Sequence, residues 1–259
     1  MWIVILALAA AAAAWVVAPR LHRFAYWTER RSSTEVEALA RSGWRVDRLP
    51  VASGVELYGL VRPPRDPQAR WILFVPGNSQ SVLAGFQAEL DRVRAADDAG
   101  FAFWAPRGFD ASTGVPTPEA LAADLLLQWQ RLLALGATPA RTEVWAYSLG
   151  TPLALQLAAE LGRRGTAPAR LVLIASSPTI PVMPYGTFGR FLPDDVFDAT
   201  TALPLVTCPT VLVHGTDDVA LPIAGARTIA QALGARATLH ELPGIGHLDV
   251  WPHVRKLAW

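Results

Sequence analysis

The chain is poor in cysteine and in charge. Cys208 is the single cysteine among 259 residues, so an intrachain disulfide is excluded. A chain of this length buries about 70–75% of its unfolded surface and needs neither disulfides nor a structural metal to fold. Only 17% of the residues are charged, against roughly 25% in average soluble domains. Some part of the chain is therefore unusually apolar.

The charges that are present nearly cancel, with 23 Lys and Arg against 22 Asp and Glu. Nucleic-acid binding requires clustered positive charge in excess, so no nucleic-acid partner is expected. Intrinsic disorder requires low hydrophobicity, whereas 52% of these residues are hydrophobic. The sequence also lacks a glycine-rich phosphate loop and a zinc spacing such as H-E-x-x-H. We therefore expect neither a cofactor nor a metal.

Part of the apolar excess lies at the amino terminus, where residues 1–18 include no charged or polar side chain. At about 1.5 Å per residue, this run nearly spans a hydrocarbon core of roughly 30 Å. Trp2 and Trp15 lie near its ends, and arginines follow it. The pattern predicts a transmembrane anchor at 1–18, a juxtamembrane segment at 19–43 and a catalytic domain facing the cytoplasm. A cleaved signal peptide is the alternative and implies a secreted or periplasmic protein, although no basic region precedes the run.

From residue 44 to 259, short β-branched or aromatic runs alternate with longer stretches rich in alanine and leucine, as in an α/β domain. The first two runs are close together and predict an antiparallel hairpin, while later ones are separated by enough chain for crossover helices. The clearest helix begins after Thr117, a good N-cap, with Pro118 at its first position. Eight strands are predicted, at 44–49, 55–61, 71–75, 101–104, 142–147, 171–175, 210–214 and 237–242.

Ser148 stands between a predicted strand and a predicted helix. A serine exposed at such a sharp turn requires small residues two positions before and two after it, and here these are Ala146 and Gly150. Of the ten serines in the chain, Ser148 alone meets this condition. The segment by itself fits either a nucleophile or an ordinary helix N-cap.

Two downstream segments carry the partners that a nucleophilic serine needs, which are a base and a carboxylate to orient it. Asp217 and Asp218 follow the seventh predicted strand, and His247 lies in a glycine-containing loop after the eighth. Asp249 is a further candidate for the acid. The order Ser148, Asp218, His247 is that of a serine, acid and histidine triad.

Five segments in this order resemble the α/β-hydrolase-fold serine hydrolases, and most of all the membrane-anchored branch with the Bem46-like and ABHD12/13-like proteins. The segments are FVPGNS at 74–79, PRGF at 106–109, AYSLG at 146–150, HGTDD at 214–218 and GH at 246–247. The resemblance implies a mostly parallel eight-stranded sheet with helices on both faces. It makes Ser148 the nucleophile, His247 the base and Asp218 the acid, since the acid of the family stands three residues after the glycine.

The resemblance also implies an oxyanion hole formed by the backbone N–H groups of Leu149 and Asn78. The sequence departs from the family pattern at two positions. Pro76 occupies a position where histidine is usual, and Asp110 stands where the family has a small residue. Arg107 is expected to be structural and to bind loop carbonyls. His214 is expected to cap a core strand, and Cys208 to be a buried, inert thiol.

The resemblance implies a short cap region at 178–207, with apolar walls from Met183, Tyr185, Phe188 and Phe191, and a surface loop with a few packing aromatics fits the segment equally well. Such a cap predicts an open pocket for a small hydrophobic or lipid-like ester. The expected function is a serine hydrolase that cleaves a carboxylic ester or thioester through an acyl-enzyme on Ser148. An acyltransferase or amidase would use the same triad, and a catalytically silent, membrane-anchored interaction protein is a further alternative.

Overall fold

A computed structural model describes residues 29–78, 82–94, 98–180 and 197–257. The anchor predicted at 1–18 lies outside these residues, as do Met183, Tyr185, Phe188 and Phe191 of the predicted cap. Within the described ranges, every helix is too short or too polar to cross a bilayer.

The centre of the fold is an eight-stranded sheet in which strands of the described chain lie in the order β1-β2-β4-β3-β5-β6-β9-β10. β2 runs antiparallel to both of its neighbours, and the remaining pairs are parallel. All eight predicted strands are present, with ends within three residues of those predicted. The strands are β1 Arg45–Ala52, β2 Val55–Arg62, β3 Trp71–Val75, β4 Gly100–Trp104, β5 Thr142–Tyr147, β6 Arg170–Ile174, β7 Thr179–Ile180, β8 Phe197–Asp198, β9 Thr210–Gly215 and β10 Ala237–Leu242.

Helices connect the parallel strands. The described helices are α1 Ser33–Glu37, α2 Val82–Arg94, α3 Pro118–Ala134, α4 Gly150–Arg163, α5 Ala224–Leu233 and α6 Trp251–Leu257. The chain crosses from β3 to β4 in one direction and from β4 to β5 in the other. Right-handed crossovers in opposite directions lie on opposite faces, so α2 and α3 cover different sides of the sheet. α6 packs against α2, and α4 packs against α3.

Burial explains why these segments could be recognised. Every residue of β3, β4 and β5 is buried, as expected for central strands covered on both faces. The predicted helix begins as expected, since the Thr117 hydroxyl accepts the Ala120 N–H at 3.2 Å. Leu121, Leu125, Trp129 and Leu132 are buried along one face of this helix. Cys208 is buried as predicted, and this burial raises the pKa of its thiol to about 11.

The segment from residue 29 to 44 packs along α2. Val36, Leu39 and Trp44 are buried in the core. The Gln87 side chain donates to the Leu39 carbonyl at 2.8 Å, and the Trp44 indole donates to Asp91 Oδ1 at 2.9 Å. These two hydrogen bonds join the segment to α2, which begins four residues after Asn78.

Part of the predicted cap region is described. β7 and β8 pair antiparallel on either side of residues 181–196, which lie outside the described ranges. Each of these strands is two residues long, and such short strands leave no periodic pattern in a sequence.

Candidate active site

Ser148 lies at the sharp turn between β5 and α4. Its backbone φ of +50° is in the left-handed region, at a cost on the order of 1–3 kcal/mol for a non-glycine residue. The Ser148 N–H donates to the Ile174 carbonyl at 3.0 Å. A Cβ at Gly150 would collide with the carbonyl oxygen of Val75. This close approach is the physical reason for the small residue that the sequence pattern requires.

Three side chains predicted from separate parts of the sequence meet at one edge of the sheet. His247 Nε2 lies 3.0 Å from Ser148 Oγ, and His247 Nδ1 lies 2.6 Å from Asp218 Oδ2. Ser148 follows β5, Asp218 follows β9 and His247 follows β10. Because these strands are parallel, their carboxyl ends lie at the same edge. The result is a continuous hydrogen-bonded chain from carboxylate to imidazole to hydroxyl.

The two alternative acids lie elsewhere. Asp217 is exposed, and its carboxylate accepts a hydrogen bond from the Thr216 hydroxyl at 2.9 Å. Asp249 is exposed as well. Among the described residues, Asp218 is the carboxylate that contacts the His247 ring.

The loops that carry Asp218 and His247 are bonded to each other. The Asp217 N–H donates to the Ile245 carbonyl at 3.1 Å. The Gly244 N–H donates to the Thr216 hydroxyl at 2.9 Å. These hydrogen bonds fix the separation of the two loops from which the carboxylate and the imidazole extend.

The buried carboxylate of Asp218 accepts several hydrogen bonds. Its Oδ1 accepts the backbone N–H groups of Ala220 at 3.0 Å and Leu221 at 2.8 Å. Its Oδ2 lies 3.3 Å from His214 Nε2 in addition to its contact with His247. Both oxygens are therefore held in place before any substrate binds.

His214 is fully buried and has a defined tautomer. Its Nδ1 accepts the Ser176 N–H at 2.9 Å, so the proton of the neutral ring is on Nε2. That N–H faces the Leu221 carbonyl, 2.8 Å away, and the Asp218 carboxylate. The sequence predicted a strand-capping role for His214 and gave no signal of its contact with the acid.

The pKa of Asp218 reflects two opposing effects. Burial of the carboxyl raises the pKa, but hydrogen bonds from His214, His247 and the Leu221 N–H outweigh it and hold the pKa well below its usual range. The group is thus a carboxylate at neutral pH. A carboxylate at Nδ1 of His247 keeps the ring proton there and leaves Nε2 free to accept a proton from Ser148.

Tyr147 connects the turn that carries Ser148 to the loop that carries His247, and it was not singled out from the sequence. Its hydroxyl donates to the His247 carbonyl at 3.1 Å, and its ring centroid lies 5.2 Å from that of the imidazole. Burial, together with the nearby carboxylates of Asp218 and Asp249, raises the pKa of Tyr147 far above its usual value. The phenol therefore stays protonated and keeps donating. Its position directly before Ser148 was the available signal.

The predicted oxyanion-hole residues lie beside Ser148. Leu149 is the N-cap of α4, where backbone N–H groups have no partner within the helix. Gly77 packs against the serine, since a Cβ at Gly77 would lie 3.0 Å from Ser148 Cβ. Asn78 directly follows Gly77 in the chain, and Leu149 directly follows Ser148.

A cavity of about 290 Å³ opens next to these residues. Its lining includes Asn78 and His247, and most of the other lining residues are apolar or aromatic. The lining residues are Asn78, Gly85, Phe86, Glu89, Tyr147, His247, Leu248 and Trp251.

Solved structures share this architecture. An α/β hydrolase from Vibrio vulnificus matches with a TM-score of 0.69 and 18% sequence identity, and the match covers 89% of this chain and 94% of that one. The chain has the α/β-hydrolase fold. The fold class predicted from the sequence is therefore confirmed. No family model matches the sequence.

Sequence relatives of the hydrolase-fold chain agree with the predicted resemblance. It is 28% identical over 153 residues to the α/β-hydrolase domain-containing protein aho-3 of Caenorhabditis elegans. It is also 28% identical over 171 residues to the lysophosphatidylserine lipase ABHD12 of Danio rerio. Each match covers 58% of this chain and 44% of the relative, so the chain spans less than half the length of these curated relatives.

One prediction near the site of the hydrolase-fold chain was wrong. Within the part of the chain that the structure describes, Arg107 binds a carboxylate and not loop carbonyls: its Nε and Nη2 donate to Asp124 at 2.6 and 2.7 Å. A carbonyl contact is made instead by Arg30, whose Nη1 donates to the Ser112 carbonyl at 2.6 Å. Asp124 lies on α3, whereas Arg107 lies in the loop after β4. The sequence alone did not indicate that these two side chains would meet.

The hydrolase-fold chain is expected to lose the stabilisation from Asp218 as the pH falls. A carboxylate with a lowered folded-state pKa stabilises the fold above its unfolded pKa of about 4, and this contribution is lost as the pH falls toward the folded-state pKa. Asp218→Asn removes the titrating group. The difference in free energy of unfolding between wild type and Asp218→Asn should therefore shrink from pH 7 to pH 3, measured by urea denaturation.

The matched control for this measurement is Asp217→Asn, because Asp217 is the exposed neighbour of Asp218. Its difference from wild type should change little over the same pH range. A wild-type advantage over Asp218→Asn that stays constant with pH would contradict a lowered pKa.

Proposed function

We propose that the protein is a serine hydrolase that cleaves a carboxylic ester or thioester through an acyl-enzyme on Ser148. The observation that carries this proposal is the hydrogen-bonded chain in which His247 contacts Ser148 Oγ at 3.0 Å and Asp218 Oδ2 at 2.6 Å. These distances are within the range at which a base can take a proton from a serine.

In the acylation step, Nε2 of His247 takes the proton of Ser148 as Oγ attacks the substrate carbonyl carbon. The Asp218 carboxylate stabilises the imidazolium that forms. The negative oxygen of the tetrahedral intermediate is bound by the N–H groups of Leu149 and Asn78, each worth about 3–4 kcal/mol. His247 then gives its proton to the leaving alcohol or thiol, and the acyl group stays on Ser148.

In the deacylation step, His247 takes a proton from a water molecule that attacks the acyl carbon. A second tetrahedral intermediate forms with its oxyanion in the same site. Collapse of this intermediate returns the proton to Ser148 and releases the carboxylic acid. Every proton transfer in both steps uses side chains of this chain.

We favour a small hydrophobic or lipid-like ester as the substrate. The cavity beside Ser148 has aromatic walls from Phe86, Tyr147 and Trp251, and its volume of about 290 Å³ suits a short acyl chain or a small leaving group. A relative of 28% identity is named as a lysophosphatidylserine lipase. An anchor at residues 1–18 would hold the domain close to lipid esters in a bilayer.

A fluorophosphonate probe tests the proposal directly, because it phosphonylates a serine only when a neighbouring base activates it. We expect one label per chain, on the tryptic peptide that contains Ser148, and no label on Ser148→Ala. Mass spectrometry of the intact chain and its peptides measures both.

Either of two results would reject the proposed nucleophile. A folded wild-type chain that takes no label would favour the catalytically silent alternative. A Ser148→Ala variant that labels as well as the wild type would move the nucleophile to another residue.

A further inference from the structure

Asp110 is a buried acid that the proposed mechanism does not use. Its side chain is fully buried, and this burial raises the pKa of its carboxyl. Its backbone φ of +45° is in the left-handed region. Burial of a carboxyl and an unusual backbone conformation both cost free energy, so the position calls for a compensating role. Asp110 is also where the sequence departs from the family pattern.

The carboxyl group of Asp110 caps the beginning of α2. Its Oδ2 accepts the Leu83 N–H at 3.0 Å, and the Val82 N–H is hydrogen-bonded to the same group. These N–H groups belong to the first turn of α2, where an acceptor and a negative charge are both favourable. The cap therefore fixes the first turn of α2, which begins four residues after Asn78, the proposed oxyanion donor.

The other side of Asp110 is fixed by the segment at residues 29–31. The Asp110 N–H donates to the Glu29 carbonyl, and the Arg31 N–H donates to the Asp110 carbonyl, both at 3.1 Å. Arg31 Nε lies 3.4 Å from Asp110 Oδ1. Arg30 donates to the carbonyl of Ser112, two residues further along the same loop. Asp110 is thus held through its backbone on both sides and cannot readily follow a shift of α2.

The loop that contains Asp110 is in turn attached to the sheet. The Ser112 hydroxyl donates to the Ala105 carbonyl at 2.8 Å and accepts the Tyr58 N–H at 2.9 Å. Ala105 directly follows β4, and Tyr58 lies in β2. The hydrogen bonds of Ser112, the short stretch of chain from Ser112 to Asp110 and the carboxyl of Asp110 therefore link the sheet to the first turn of α2.

We propose that Asp110 is a positioning residue for the oxyanion hole: by tying the start of α2 to the 29–31 segment and the sheet, it holds the Asn78 N–H beside Ser148. This inference rests on the proposed function. Asp110 touches no reacting atom, so its loss should weaken stabilisation of the transition state more than substrate binding.

Asp110→Ala is expected to lower kcat for p-nitrophenyl butyrate about 100-fold, the lower end of the loss for one oxyanion donor, with KM changed less than threefold. Asp110→Asn keeps an oxygen that can accept the Leu83 N–H. It should therefore recover kcat to within about tenfold of the wild type. Both variants are measured well below their melting temperatures.

Asp91→Ala is the matched control. Asp91 also lies on α2, and its Oδ1 accepts a hydrogen bond from the indole of Trp44, in the amino-terminal segment, at 2.9 Å. The same oxygen lies 2.7 Å from Arg62 Nη1. Asp91 is nine residues beyond Val82, about 13 Å along the helix from the Asn78 loop. Asp91→Ala should lower the melting temperature but keep kcat within threefold of the wild type.

Hydrogen exchange gives a readout that does not depend on activity. In Asp110→Ala, the amides of Gly77 and Asn78 should exchange at least tenfold faster than in the wild type, and in Asp91→Ala they should not. A cap that serves only α2 would leave these two amides unchanged. If the wild type hydrolyses no ester, the proposed function fails. If the amides of Gly77 and Asn78 exchange at the same rate in Asp110→Ala as in the wild type, the positioning role of Asp110 is overturned, whatever the result for hydrolysis.

Two kinetic results would also overturn the proposal. One is a folded Asp110→Ala variant that keeps kcat within threefold of the wild type. The other is an equal loss of kcat in Asp91→Ala, which would show a general effect of destabilising α2.

Discussion

Ser148→Ala is expected to lower kcat for p-nitrophenyl butyrate about a million-fold, the loss seen when a triad nucleophile is removed. The variant has no hydroxyl to attack the carbonyl, and His247 Nε2 loses the group 3.0 Å away that it deprotonates. The residual rate comes from water attack on an ester held in the oxyanion hole. Steady-state kinetics measure the loss, and circular dichroism verifies that the variant is folded.

Ser176→Ala is the control for this loss. Ser176 is buried near the site, and its hydroxyl makes no hydrogen bond to the described residues. Its replacement should change kcat less than threefold. A loss of under 100-fold in Ser148→Ala would mean that Ser148 is not the nucleophile.

Asp218→Asn is expected to lower kcat about 10⁴-fold, with KM within a few-fold of the wild type. The asparagine amide would donate to Nδ1 of His247 and thereby place the ring proton on Nε2. That nitrogen could then no longer accept the Ser148 proton. The asparagine keeps the shape of the aspartate side chain and can still accept the backbone N–H groups of Ala220 and Leu221. The loss of kcat therefore measures the effect of the changed His247 tautomer.

Asp217→Asn and Asp249→Asn are the matched controls for the acid, since both residues lie close in sequence to the triad and are exposed. Each variant should keep kcat within about threefold of the wild type, because the charge of an exposed carboxylate is screened by solvent and interacts only weakly with the site. Near-normal turnover in Asp218→Asn, combined with a large loss in either control, would transfer the role of the acid.

The sheet was predictable from the sequence because its central strands are buried on both faces. Every residue of strands such as Trp71–Val75 and Thr142–Tyr147 is buried, and strands of this kind are recognised in a sequence as short runs rich in apolar residues. Ser148, Asp218 and His247 could be named as candidates because each lies in the turn or loop that follows a strand. Short-range patterns were therefore enough to define both the sheet and the triad candidates.

Contacts between distant elements were not predictable in the same way. His214 reaches Asp218 because the turn after β9 brings the two side chains within 3.3 Å of each other, and no spacing rule encodes this. Arg107 binds Asp124 on α3 instead of a carbonyl. Asp110 was recognised as a departure from the family pattern, but its contact with the first turn of α2 follows only from packing.

The sheet order divides the proposed triad into two parts. The loops after the neighbouring strands β9 and β10 carry Asp218 and His247 and are bonded to each other, whereas Ser148 follows β5, with β6 between. A change in sheet twist between β5 and β9 would therefore alter the distance between serine and histidine and leave the distance between histidine and aspartate intact. Asp218 and His247 would therefore move as one unit, and Ser148 is the residue whose position relative to that unit depends on the sheet.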